Sequence, residues 1–375
     1  MKMGKIACVC LAAALTASMA ACGGSAKTET KAQTEAAAQT EAAAETETAA
    51  ETAAADETAA ESAELPEEVN IGVQTLVTPE LIARYEEIYE EYLGCPVNLL
   101  QFDSGADVNR AFASGSIDIG AIGTSPAAIG ISTNLGYEVF WFEDVIGSAE
   151  SLVVQKDSGI TSVADLKGKK VATPFASTAH FSLQNALELN GVAAADVELY
   201  DMQPDDIYAA WIRGDIDAAY VWDPVLSKLY ENGATAITDS AEMAEQGVVT
   251  ADLAVINKEF AEKYPSVATG YIKAQIYAVD KFNADQDAAL QEIAEAIDIT
   301  KEEAATQAAG FIYPDGKEQL TDAYFGADGN SGSIAQILKQ AADFLTEQKS
   351  IDASPDISVF EEYSTGEYIL RALDE

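Results

Sequence analysis

A chain of 375 residues with a formal net charge of −42 is long enough for two lobes with cores of their own. It is too acidic for nucleic acid, because no basic stripe exists to neutralise phosphates. Four cysteines and a single histidine leave no zinc site of ordinary type, and neither a metal nor another cofactor is expected.

The N-terminus reads as a secretory signal over 1–21: Lys2 and Lys5, an apolar stretch, then small residues leading to Cys22. The small residues before Cys22 resemble a bacterial lipoprotein signal, in which that cysteine is diacylated and becomes the mature N-terminus. Residues 22–65 are built almost wholly of Ala, Glu and Thr, with nothing to repay the entropy of folding, and read as an acidic tether. With Cys8 and Cys10 in the signal and Cys22 lipidated, Cys95 is the cysteine left to the exported domain, so no internal disulfide is expected.

From residue 66 short β-type runs alternate with helical stretches. VNIGVQ (69–74), VNLLQF (97–102) and IDIGAIG (117–123) predict strands; 79–94 and 104–115 predict helices between them. The rhythm returns about a hundred residues later. KKVATPF (169–175), VELYDM (197–202) and IDAAYVW (216–222) predict strands, with helices over 178–191 and 204–214. FASGSIDIGAIGTSP (112–126) matches WIRGDIDAAYVWDP (211–224): an aromatic, two residues, Gly, one residue, Ile-Asp, a small-residue strand and a closing Pro.

Two related α/β lobes point to a bilobal binding protein with its ligand in the cleft between them. Lobe 1 is expected over 66–148 and 251–375, and lobe 2 over 149–250. Crossings are expected at 147–155 and 247–257, and helices beyond 258 should buttress the first lobe.

In open α/β sheets ligands sit beyond the carboxyl ends of strands. That rule selects Gln74, Thr75, Thr124, Ser125, Ser177, Thr178, His180, Trp222 and Asp223, and the crossings add Glu150 and Asp252. The helix starts at 124–126 and 176–180 supply neutral donors and suit an anion, sulfonate better than phosphate, since no Lys or Arg falls in these loops. Glu150, Asp252 and Asp223, an acid near the cleft, suit an ammonium together with Trp222. Ser177 and Thr178 are equally good helix caps, and His180 can be a packing residue. Asp118 and Asp217 read as structural turn residues, Arg110 and Arg213 as surface ion pairs.

At VNIGVQT, FDSGADVNRAFASGSIDIGAIGTSP, ESLVVQKDSGI, DLKGKKVATPFASTAHFSL, MQPDDIYAAWIRGDIDAAYVWDP and ADLAVINKEFAEKYP the sequence resembles the taurine-binding proteins of bacterial ABC importers, within the sulfonate/nitrate-type substrate-binding family. The resemblance spans 68–375. It implies a type II periplasmic-binding-protein-like fold: two doubly wound α/β lobes, a hinge and C-terminal helices. It implies a monomeric, lipid-anchored binding protein on the outer face of the cell membrane, not an enzyme, that passes taurine or a similar sulfonate to an ABC permease and ATPase. It places the sulfonate near Ser125, Ser177, Thr178 and His180 and the amine near Glu150 and Asp252, with Gln74 and Trp222 lining the pocket. Asp223 after the Trp, and ADLAV without an aromatic two residues past the acid, depart from the family pattern. Other sulfonates, nitrate or a pyrimidine-type solute are the alternatives, and an enzyme on the same scaffold a more distant one.

Overall fold

The two acids of the internal repeat do the same work in two different sheets. Asp118 accepts the backbone N–H of Asn70 on its Oδ2 at 2.9 Å, and its own N–H donates to the Asn70 carbonyl at 2.8 Å. Asp217 accepts the Lys170 N–H at 2.9 Å and donates to the Lys170 carbonyl at 2.8 Å. Each acid ties the start of one strand to the loop entering its parallel neighbour, where the strand-end amide would otherwise lack a partner.

The computed structural model describes residues 64–330 and 332–374. The expected signal, Cys22 and the tether up to residue 63 lie outside the described residues. Among the described residues eleven strands run β1 (Val69–Val73), β2 (Val97–Gln101), β3 (Ile119–Gly123), β4 (Tyr137–Ile146), β5 (Glu150–Val154), β6 (Lys170–Thr173), β7 (Glu198–Asp201), β8 (Ala218–Trp222), β9 (Thr235–Asp239), β10 (Ala251–Asn257) and β11 (Phe311–Ile312). They form two sheets, ordered β11-β4-β10-β3-β1-β2 and β7-β6-β8-β5-β9.

The repeat extends into this topology. In each sheet the first strand of the unit lies between the second and third, all parallel, as β2-β1-β3 and β7-β6-β8. In each sheet the crossing strand then adds antiparallel to the third, β10 beside β3 and β5 beside β8. This is a doubly wound α/β fold with two sheets.

Both faces of each sheet are covered, and the sequence shows it. On β5, Leu152 joins one apolar cluster with Val171, Leu183 and Tyr220, while Val153 joins another with Trp211, Val221 and Leu226. Successive side chains point to opposite faces, so strands covered on both read as continuous apolar runs. The six-stranded sheet shares its core with the C-terminal helices, including Tyr271, Ile272, Leu338 and Ile369. The helix Ile334–Glu347 also reaches the other sheet: Phe344 meets His180 and Phe181 edge-on at 5.7 and 5.0 Å.

Two expectations need correction. The helix predicted over 79–94 is two short ones, α1 (Glu80–Tyr85) and α2 (Tyr89–Leu93). Between them Glu87 takes a left-handed backbone, φ 56°, and the Ile88 N–H donates to the Ala83 carbonyl. The break lets Leu81 and Ile82 from one piece, and Tyr89 and Leu93 from the other, all reach the core. Strand β4 was not expected at all. Nine of its ten residues are buried, three of them acids, so neither alternation nor a purely apolar run marks it.

Candidate functional site

Between the sheets lies a narrow cleft with a free volume of about 30 Å³. Gln74, Glu150, Ser177, Thr178, Trp222 and Asp252 line it, six of the eight residues expected at the site. Their positions follow from strand direction: Gln74 follows β1, Trp222 ends β8, Glu150 opens β5 and Asp252 lies early on β10. The antiparallel crossing strands thus bring their first residues to the same edge where the parallel strands end. Leu76, Gly105, Ile146, Ala149 and Phe311 also line the cleft and were not expected there. Gly105 opens α3 (Gly105–Ala113), where a Cβ would meet the Pro126 ring at 2.4 Å. Phe311 comes from a two-residue strand far along the chain, with no local signal to mark it.

Two helices start at the cleft. Helix α4 (Thr124–Ser132) begins at Gly123, whose backbone is extended, and no side chain caps it. Its first-turn amides are therefore free of side-chain acceptors. Ser125, in that first turn, is fully buried with its Oγ lacking any hydrogen-bond partner. Helix α5 (Thr178–Leu189) is capped by Ser177, whose Oγ accepts the His180 N–H at 3.1 Å and donates to the Pro174 carbonyl at 2.6 Å. Thr178 Oγ1 donates to Glu150 Oε1 at 2.7 Å. Of the three hydroxyls expected to serve an anion, Ser177 and Thr178 thus donate within the protein and Ser125 does not.

His180 is not among the residues lining the cleft. Its Nδ1 accepts the Ala176 N–H at 3.3 Å and its Nε2 lies 3.4 Å from the Gln184 amide nitrogen. Burial pulls the imidazole down to about 4, opposed by the charge of Asp201, so the ring is neutral at pH 7. The structure gives it a packing role and a bond to the loop, in which Ala176 is left-handed at φ 62°.

The acids of the cleft stand beside these helix starts, Glu150 bonded to Thr178 and Asp252 paired with Gly123. Glu150 is 1 % exposed; its carboxylate accepts from Thr178 and, at 3.0 Å, from Ser240. Burial still outweighs these bonds and pushes the group up to about 8, with the Asp252 charge adding to the rise. Burial raises Asp252 too. Asp144, directly across from Asp252 on β4, is completely buried. Its neighbour Glu143 accepts from Tyr271 Oη at 3.0 Å and feels Arg84, which donates to Glu80 and to the Gln74 carbonyl. Among the described residues no group of His, Cys, Asp and Glu is arranged to hold a metal ion.

Asp223, read as an extra acid near the cleft, is committed elsewhere. Its Oδ1 accepts the Ser227 N–H at 2.9 Å and the Ser227 hydroxyl at 2.5 Å, bracing the helix Val225–Glu231.

Two α/β sheets facing one cleft, lined by helix starts and buried acids, define a solute-binding protein of the bilobal kind. The family model for the substrate-binding domain of ABC-type glycine betaine transport systems matches residues 67–313, and the chain belongs to that family. It is 34% identical over 291 residues to the taurine-binding periplasmic protein of Escherichia coli, covering 76% of this chain and 88% of that one. In fold it is similar to the periplasmic aliphatic sulphonate binding protein SsuA of E. coli, TM-score 0.64 at 22% identity, covering 78% and 91% of the two chains. It is also similar in fold to the desulfurization enzyme DSZB, TM-score 0.60 at 16% identity, covering 82% and 99%.

Proposed function

We propose that this chain captures taurine or a closely similar aminoalkyl sulfonate and delivers it to an ABC permease and ATPase. One observation carries the reading: the buried acids Glu150 and Asp252 line the cleft together with Gly123 and Pro126 at the uncapped start of α4, in whose first turn the Ser125 hydroxyl has no partner. A short zwitterion finds donors for its oxyanion and carboxylates for its ammonium there. Ser125 and the first-turn amides would take the sulfonate, Glu150 and Asp252 the amine, with Gln74 and Trp222 along its length. Ser177 and His180 would act by holding the start of α5 in place.

The family description names glycine betaine, whose quaternary ammonium has no N–H to donate. Such groups are recognised by aromatic cages. Carboxylates at the cation end favour an amine that can donate hydrogen bonds.

The rest of the reading follows the sequence. Residues 1–21 are removed, Cys22 is lipidated, and 22–65 tether a monomer to the outer face of the membrane. Lobe 1 (66–148 and 251–375) and lobe 2 (149–250) close about the crossings, and ligand touching both favours the closed state. No turnover is expected, since His180 does not line the cleft and its Nδ1 already accepts the Ala176 N–H.

Calorimetry and thermal shift with taurine, ethanesulfonate, glycine betaine and nitrate test the proposal. Taurine should bind most tightly and raise Tm with concentration. A chain stabilised by glycine betaine and indifferent to taurine would overturn it, as would consumption of the sulfonate.

A further inference from the structure

We propose that Asp144 and Asp252 form a carboxyl pair that shares one proton in the ligand-free cleft and yields it when a cationic ligand binds, making Asp144 a determinant of the preference for positively charged ligands. The inference rests on the zwitterion reading of the cleft.

Asp144 and Asp252 are cross-strand partners on β4 and β10, the last pair before the register shifts between Asp252 and Leu253. Directly opposed residues project on the same face with Cβ atoms about 4.5–5.5 Å apart, and like charges there repel. Asp252 lines the cleft and Asp144 stands beside it with no exposed surface. Neither carboxylate oxygen of Asp144 has a hydrogen-bond partner; the Asp252 amide favours its charge, but its geometry falls short of a bond. A buried carboxylate left in that state is expensive, and protonation is the way out.

The groups that act on it point the same way. Glu150 on β5 and Glu143 on its own strand add negative charge, and Tyr313, beyond β11, is raised by burial first and by the charge of Asp144 second. Arg84, whose charge reaches Glu143, is bonded to Glu80 and the Gln74 carbonyl. The described residues offer no metal-holding group, so the missing positive charge is a proton or the ligand's own. Burial raises both members, Asp144 well above the usual carboxylate range. Two interacting acids of this kind hold their first proton jointly. When an ammonium donates to the pair, the carboxyl O–H gives its proton to solvent and the charge of the site is conserved.

Taurine titrations at pH 7 in phosphate and in Tris, whose ionisation enthalpies differ, measure the protons released per ligand. The full chain should release protons on binding taurine and none on binding ethanesulfonate, which lacks the amine. Asp144→Asn should release fewer than half as many as the parent, the remainder coming from Glu150. Infrared spectra of the ligand-free chain at pH 7 should show a protonated carboxyl band that weakens in Asp144→Asn. Equal release by parent and variant, with taurine bound, overturns the proton pair and leaves the proposed function standing. If neither sulfonate binds, the proposed function falls, and absence of the infrared band disposes of the shared proton separately. Should the variant not fold, a parent that releases no proton and shows no such band overturns the inference by itself.

Discussion

His180 lies flat against Phe175, ring centroids 4.4 Å apart and planes 6° from parallel, while Phe344 closes its other side edge-on. This stack joins the loop before α5 to the C-terminal helix Ile334–Glu347. His180→Ala should therefore act on stability more than on ligand, lowering it by about 1–3 kcal/mol as loss of aromatic packing does. Taurine affinity should fall less than in Asp252→Asn. Thermal melts and calorimetry on both variants check the order; a larger affinity loss for His180→Ala would return the imidazole to the ligand.

The pH dependence of that residue has a definite sign. Its folded value, about 4, lies below the ordinary 6.5, so the folded state resists protonation. The contribution is present above pH 6.5 and is lost as pH falls through about 4. Melting temperatures across this range should drop toward acid, and a His180 variant should show a shallower drop.

Glu150 works in the opposite sense. Its folded value, about 8, lies above the ordinary 4.5, so its contribution is present in acid and lost as pH rises through about 8. Glu150→Gln should melt higher than the parent at pH 8 while losing taurine affinity by roughly tenfold to a hundredfold, the worth of a charged hydrogen bond. A variant that binds taurine as the parent does would move the amine elsewhere.

Gly123 keeps the two sides of the cleft close. A Cβ there would stand 2.9 Å from Thr178 Cγ2 and 3.5 Å from Asp252 Oδ1, and its backbone (φ −69°) needs no glycine. Gly123→Ala should thus wedge the cleft sterically, weakening taurine by about 1–3 kcal/mol as overpacking does. Affinity should fall more than ligand-free stability, which titration and melts of the same sample separate.

Asp118 and Asp217 supply a control away from the ligand. Each removes a strand-end amide from solvent, so Asp118→Ala and Asp217→Ala should each cost about 1–3 kcal/mol. Set in different sheets, the losses should add in the double variant and leave taurine affinity unchanged. Denaturant unfolding measures the first and calorimetry the second.

Much of this protein is written locally. Short apolar runs ending in Gly, Ser or Thr mark strands that feed helices, and Ile-Asp after Gly marks the repeat, because a backbone amide needs the same acceptor in both sheets. Those signals place Gln74, Thr178, Trp222, Glu150 and Asp252 at one edge, where the structure has them lining one cleft. The roles of the side chains were decided by tertiary structure. A hydroxyl at a helix start can cap, donate to a ligand or hold a neighbour's carboxylate; packing against β5 gave Thr178 to Glu150. A lone histidine can donate or stack, and the contacts with Phe175 and Phe344 that favour stacking are visible only in the folded chain. Asp144 was invisible for the same reason: an acid in the middle of a buried strand has no local pattern, and its unpaired state depends on what β10 sets across from it.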